Sequence, residues 1–228
     1  CGIKIDKKSP HISHRWEEEN GEKVHIITTP DGDLVGRGRY GQPTSFMTET
    51  PEELAKLRWV YTDTEYSITP EAIKNNTAAY DHHVSEGNFT MTGTGPSPFM
   101  EVLQHIAGPI HTYYLIQDAP ELFQEIMDLM HEDRMKMLKI RMPVEKTDSV
   151  WLTENTSTSL HSPDMFEKYC MPYLTEYGNL ILEYHKIPIH HMCGLLNDLL
   201  ELIDTLPAMA NEAYTTYPLG NVSLAEGR

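Results

Sequence analysis

The stretch Ile187-Pro-Ile-His-His-Met-Cys-Gly194 is a short buried strand that runs into a glycine, and the apolar-periodic helix pattern 195–203 follows at once. His191 and Cys193 are two residues apart, so in an extended strand both side chains point to one face at the carboxyl end. Imidazole and thiolate together suit zinc. The same spacing is also typical of a buried histidine beside an inert core cysteine, so the surrounding pattern has to decide.

Strand and helix patterns alternate through the second part of the chain. Strand-like stretches cover 88–92, 149–153, 187–191 and 210–214, and a helix pattern or a loop with a helix start follows each of them. Repeats of this kind build a parallel sheet of α/β class, in which either a barrel or a doubly wound sheet satisfies the crossover rule. Ligands gather at the carboxyl ends of such strands. Candidate residues at those ends are Thr92, Glu154, His191, Cys193 and Tyr214.

The first part of the chain carries a different pattern. Residues 24–36 predict a β-hairpin, because two apolar stretches flank the turn Pro30-Asp-Gly32. The segment Gly36-Arg-Gly-Arg-Tyr-Gly41 is predicted as a loop. Thr50-Pro-Glu-Glu53 predicts a helix start, since it combines a hydroxyl cap, a proline in the first turn and a capping-box glutamate.

The bulk composition excludes several classes of function. The chain of 228 residues has a formal charge of −16, which argues against a nucleic-acid partner. It contains no apolar run of membrane-spanning length, so no membrane partner is expected. Three cysteines at irregular spacing favour a reducing compartment, and the expected localisation is cytoplasmic. One domain spanning 1–228 is expected from the length.

The order of several motifs resembles the uroporphyrinogen decarboxylase superfamily. These are Ile27-Thr-Thr-Pro-Asp-Gly-Asp-Leu34, Glu154-Asn-Thr-Ser157, Ser162-Pro-Asp-Met-Phe-Glu-Lys-Tyr169 with Pro172-Tyr173, and His191-Met-Cys-Gly194. The resemblance covers most of the chain after about residue 24 and implies a (β/α)8 TIM-type barrel with an N-terminal hairpin insertion. The chain starts without a methionine and stops where Ser223 would cap a helix, so an incomplete barrel is expected.

Within that superfamily, the His-x-Cys-Gly element is similar to the zinc- and cobalamin-dependent methyltransferases. The resemblance therefore implies that His191 and Cys193 bind zinc. Relatives add a cysteine from a later strand, but no cysteine follows Cys193, so this ligand lies beyond Arg228 or is replaced. Glu154 is the one replacement that the sequence offers, and the set would leave a fourth position open for catalysis. Glu154 is equally compatible with a barrel-mouth carboxylate held by backbone donors or an arginine.

The implied reaction is transfer of a methyl group between a small methylated substrate or thiol and a corrinoid (cobalamin) carried by a partner protein. Zinc would activate the thiol or the substrate's heteroatom. Thr94, Asn155 and Tyr214 would orient the substrate through hydrogen bonds.

Two alternatives remain open at this point. The first is porphyrinogen decarboxylation, which relies in the family on arginines and an aspartate near the chain start; Gly38-Arg-Tyr40 resembles that motif only in part. The second is a non-catalytic barrel used for binding. Zinc content separates methyl transfer from both. Exposed sheet edges would favour association, including a homo-oligomer.

Overall fold

The structure is a computed structural model and describes residues 2–227. Its strands are β1 (Asp6–Lys8), β2 (Ser13–Glu19), β3 (Glu22–Thr29), β4 (Gly32–Arg39), β5 (Gln42–Ser45), β6 (Glu65–Ser67), β7 (Met91–Gly93), β8 (Ser149–Leu152), β9 (Ile187–His191) and β10 (Ala210–Glu212). Its α-helices are α1 (Pro51–Thr62), α2 (Pro70–Ser85), α3 (Pro98–Glu101), α4 (Gly108–Asp118), α5 (Pro120–Arg141), α6 (Pro163–Tyr169), α7 (Met171–Glu183) and α8 (Leu200–Asp204). A π-helical segment, Val102–Ile106, follows α3, and a 3-10 turn, Asn197–Leu199, precedes α8.

Backbone contacts divide the chain into two compact units. The first comprises the residues up to Asp6, Ser67–Met100 and the residues from Met137 onward, and the second comprises Lys7–Tyr66 and Glu101–Lys136. All of the candidate site residues predicted from the sequence lie in the first unit. We describe each unit separately.

The first unit is built on a parallel sheet of four strands, β7, β8, β9 and β10. Neighbours in this sheet are consecutive in the chain, as in a barrel of βα units, whereas a doubly wound sheet reverses its strand order. The α/β prediction is therefore confirmed, and the order of the strands is that of a TIM-type barrel. Within residues 2–227 the sheet is open and does not close on itself.

Helix α7 packs against β9 of this sheet, and α6 packs against α7. The sequence predicts one helix that is capped by Ser162 and carries apolar and aromatic residues at helical spacing as far as Tyr184, but the structure divides it at Cys170. Pro172 accounts for the break, because its nitrogen has no hydrogen to donate to the preceding turn. The side chains buried here include Phe166, Tyr173, Leu174, Tyr177 and Ile181.

The second unit contains an antiparallel sheet in the order β2, β3, β4 and β5. The predicted hairpin is confirmed as β3 and β4. The prediction of a loop over residues 36–41 is wrong for residues 36–39, which continue β4. Gly38 is needed there because a Cβ would lie 2.9 Å from the Gln42 carbonyl oxygen, where the chain turns back into β5.

Helix α1 of the second unit begins where the sequence predicts. The Thr50 hydroxyl accepts a hydrogen bond from the Glu53 N–H at 3.3 Å, and the Glu53 carboxylate accepts from the Thr50 N–H at 3.0 Å. This capping box satisfies two backbone donors that the helix itself leaves unpaired. In residues 2–227 no helix is both long enough and apolar enough to span a bilayer.

Candidate functional site

His191 ends β9 and contacts a carboxylate that the sequence analysis had not singled out. Strand β10 pairs with β9 so that Glu212 lies opposite His191, and the Glu212 carbonyl accepts the Met192 N–H at 3.2 Å. This register brings the Glu212 carboxylate onto Nδ1 of His191. The edge of the imidazole also meets the Trp151 ring, with ring centroids 5.2 Å apart and planes at 86°. The His191 ring is thus fixed from two sides.

Cys193 is exposed and is linked to His191 through Asn155. The thiol donates to the Asn155 side-chain oxygen at 3.5 Å, and the Asn155 backbone N–H donates to the His191 carbonyl at 2.8 Å. Asn155 has a φ of 51°, in the left-handed region that asparagine tolerates better than most residues. The structure therefore brings together three of the predicted residues, His191, Cys193 and Asn155.

Gly194 allows this loop to lie directly against the loop that follows β8. A Cβ on Gly194 would be 2.2 Å from the Cβ of Ser157 and 2.3 Å from the Thr156 carbonyl oxygen. Next to this close approach, the Leu195 N–H donates to the Ser157 hydroxyl at 3.0 Å. The glycine of the His-x-Cys-Gly element thus has a packing role that seats Cys193.

Glu154 lies elsewhere in the first unit and is fully buried. One carboxylate oxygen accepts the Ser97 backbone N–H at 2.6 Å, and the other accepts the Ser97 hydroxyl at 2.7 Å. The buried Cys170 is next to this pair, and burial, followed by the Glu154 charge, raises the pKa of its thiol. Among residues 2–227, no three His, Cys, Asp or Glu side chains cluster to hold a metal, so Glu154 does not join His191 and Cys193.

The remaining two predicted residues make local contacts. The Thr94 backbone N–H donates to the Trp151 carbonyl at 2.9 Å, which ties the loop after β7 to β8, and the side chain is buried. The Tyr214 hydroxyl donates to the Ser223 carbonyl at 3.4 Å. Burial, followed by the Glu226 charge, raises the pKa of Tyr214, so its hydroxyl stays protonated.

His190 lies next to His191 in β9 but in a different environment. It is completely buried, and neither ring nitrogen has a hydrogen-bond partner among the described residues. Burial lowers its pKa from 6.5 to about 4, because the charged imidazolium would lose its hydration. His190 is therefore a neutral core residue at neutral pH.

Sequence reasoning missed Glu212 and Trp151. Both lie on predicted strands. Side chains alternate between the two faces of a strand, so placing Trp151 on the same face as His191 requires the register between β8 and β9, which the sequence does not give. Glu212 required the β9–β10 register in the same way, since no motif marks it.

The donors at the end of β9 fit a zinc ion in their chemistry. Glu212 occupies Nδ1 of His191, so Nε2 is the nitrogen left to bind a metal, and the exposed Cys193 supplies sulfur. A carboxylate on the second nitrogen of a metal-binding histidine is a common arrangement at zinc sites. The protein is thus of α/β class, with an imidazole and an exposed thiol two residues apart at the carboxyl end of β9.

Comparison with known proteins assigns the family. The model of the uroporphyrinogen decarboxylase family (URO-D) matches residues 42–217, well over half of the chain. The chain therefore belongs to the uroporphyrinogen decarboxylase family, and the resemblance seen in its sequence is confirmed. No curated protein matches it.

One similar solved structure is a methyltransferase from Methanosarcina mazei. Its sequence is 14% identical, the TM-score is 0.47, and the match covers 78% of this chain and 48% of the other. The chain thus spans about half the length of that protein.

Proposed function

We propose that this chain is a zinc-dependent methyltransferase that moves a methyl group between a small substrate or thiol and a corrinoid (cobalamin) protein. The observation that carries this proposal is the pairing of His191 and Cys193 at the open end of β9, with Glu212 on the opposite nitrogen of the imidazole. A nitrogen–sulfur donor pair of this kind is what a zinc-dependent methyl transfer requires, whereas porphyrinogen decarboxylation needs no metal.

In this proposal the residues of the chain divide the work. His191, through Nε2, and Cys193 hold the zinc, which when bound acts as a Lewis acid toward the thiol or heteroatom of the substrate. The Asn155 side-chain oxygen accepts the hydrogen bond of the Cys193 thiol, and in this proposal Asn155 would also orient the substrate. Glu154 is not a zinc ligand in this proposal, because both of its carboxylate oxygens accept hydrogen bonds from Ser97.

Elemental mass spectrometry tests the metal directly. The protein is prepared without a chelator or a metal-binding tag, alongside Cys193→Ala and His25→Ala. His25 is the matched control because its Nε2 lies 3.1 Å from Nδ1 of His14, so these two side chains bring metal-binding nitrogens together outside the candidate site. We expect about one zinc per chain in the wild type and in His25→Ala, and loss of zinc in Cys193→Ala.

Methyl transfer is then measured with a corrinoid protein and a panel of methylated substrates and thiols. Turnover that depends on zinc and on Cys193 supports the proposal. Absence of zinc from the wild type overturns it; release of carbon dioxide from a porphyrinogen would then establish the decarboxylase alternative. If the chain contains no metal and turns over neither class of substrate, the remaining interpretation is a non-catalytic barrel used for binding.

A further inference from the structure

The contact between Glu212 and His191 is built into the backbone of the sheet. The two residues are register partners on β10 and β9, and the Glu212 carbonyl also accepts the Met192 N–H at 3.2 Å. The carboxylate reaches Nδ1 of the imidazole from this fixed position.

We infer that Glu212 is a positioning residue that holds His191 as the tautomer with its proton on Nδ1 and leaves the lone pair on Nε2 bare. A carboxylate accepts hydrogen bonds only, so the neutral imidazole must donate from Nδ1. The partner of one ring nitrogen decides which nitrogen carries the proton. The zinc-directed part of this inference rests on the proposed function, whereas the tautomer itself does not.

The neighbours of the imidazole support this role. Trp151 packs against it in a T-shaped arrangement with 5.2 Å between ring centroids, a contact that favours the observed orientation of the imidazole. The side chain of His191 is 19% exposed and that of Glu212 is 46% exposed, so the imidazole is sheltered while the carboxylate remains hydrated. The contact between the Glu212 carboxylate and His191 is present in the zinc-free protein.

Glu154 cannot take this role. Its two oxygens already accept the Ser97 N–H and hydroxyl at 2.6 and 2.7 Å, and its side chain is fully buried. Moving it to His191 would leave both Ser97 donors unpaired in a buried site. The carboxylate that sequence reasoning sought near the zinc is therefore Glu212, and it acts on the histidine.

Nitrogen-15 NMR of the zinc-free full chain tests the tautomer. The His191 signals are assigned by their loss in His191→Gln. We expect Nδ1 to carry the proton in the wild type and in Glu212→Gln, whose amide oxygen can still accept it, and a shift toward the Nε2-protonated form in Glu212→Ala. Glu201→Ala, which removes an exposed carboxylate of α8, should leave the signals unchanged.

Zinc affinity, measured by competition with a chromophoric chelator, gives the second readout. Glu212→Ala should bind zinc about 10- to 100-fold more weakly than the wild type, with partial rescue in Glu212→Gln. Two results would overturn this inference even if zinc binds. The first is a wild-type His191 that carries its proton on Nε2. The second is a Glu212→Ala variant with the same His191 tautomer and the same zinc affinity as the wild type. If the tautomer responds as expected but the wild type binds no zinc, the positioning role is upheld and the proposed function falls.

Discussion

Strand β9 carries two consecutive histidines, of which one is fully buried and the other is partly exposed. The first unit also carries two carboxylates, Glu154 and Glu212, of which one is fully buried and the other is exposed. His190 and Glu154 are fully buried, and Glu154 is bonded to Ser97 on both oxygens. His191 and Glu212 lie at the open end of the sheet and contact each other. Residue type is the same within each pair, so the environment separates the residues that stabilise the fold from those available for chemistry.

The largest expected effect is the one that His190 has on the pH dependence of folding stability. Its pKa is about 4 in the folded protein, against 6.5 for an unperturbed histidine. The unfolded chain therefore takes up the proton first as the pH falls, and folded stability is lost between about pH 6.5 and pH 4. This residue should lower the free energy of unfolding by about 3 kcal/mol over that window.

Denaturant unfolding at both ends of the window checks this, with His190→Leu as the variant. The variant should lose about 3 kcal/mol less than the wild type on acidification, because it has no imidazole to charge. An equal loss in both proteins would show that His190 does not stay neutral in the fold. His83→Ala, which removes a partly exposed histidine of α2, is the control and should retain the wild-type pH dependence.

The two carboxylates should differ next most strongly. Glu154→Ala leaves the Ser97 N–H and hydroxyl without their partner in a buried site, and we expect a loss of about 2 kcal/mol of unfolding free energy. Glu212→Ala should cost less than about 0.5 kcal/mol, because an exposed carboxylate contributes little to stability. Thermal and denaturant unfolding of the two variants, side by side, measure this. Equal losses would remove the distinction drawn between the buried and the open carboxylate.

A smaller effect is expected where the two loops touch. Gly194→Ala would place a methyl group 2.2 Å from the Cβ of Ser157, and overpacking of this kind costs about 1–2 kcal/mol. At Gly93 the nearest atom to an added Cβ is 3.7 Å away, on Trp151, so Gly93→Ala should cost less. Denaturant unfolding compares the two variants. A tolerated Gly194→Ala would mean that the loops do not press together as described.

Much of the fold could be predicted because local signals and the final structure agree. The hairpin turn at Pro30, the capping box at Thr50 and the strand at His191 are all set by neighbouring residues, and each lies where the sequence predicts. Strand β2 was missed because its seven residues, Ser13–Glu19, are all exposed and carry no alternation of apolar and polar side chains.

Only the part of the candidate site that lies within single sequence motifs could be predicted. His191, Cys193 and Asn155 lie in two short motifs at strand ends, and the structure links them through hydrogen bonds. The positions of Glu154 and Glu212 could not be predicted in this way, because they depend on the partner of each carboxylate, which is Ser97 for Glu154 and His191 for Glu212. That pairing depends on strand register and on the Ser97 loop, which sequence periodicity does not encode.

X-ray absorption spectroscopy of the zinc-loaded full chain tests the central claim most directly, because it identifies the atoms bound to the metal. The account predicts sulfur at about 2.3 Å together with imidazole nitrogen at about 2.0–2.1 Å. Cys193→Ala should lose one sulfur scatterer, and Glu212→Ala should retain the sulfur. A zinc shell of nitrogen and oxygen alone, unchanged by Cys193→Ala, would contradict a metal centre at His191 and Cys193.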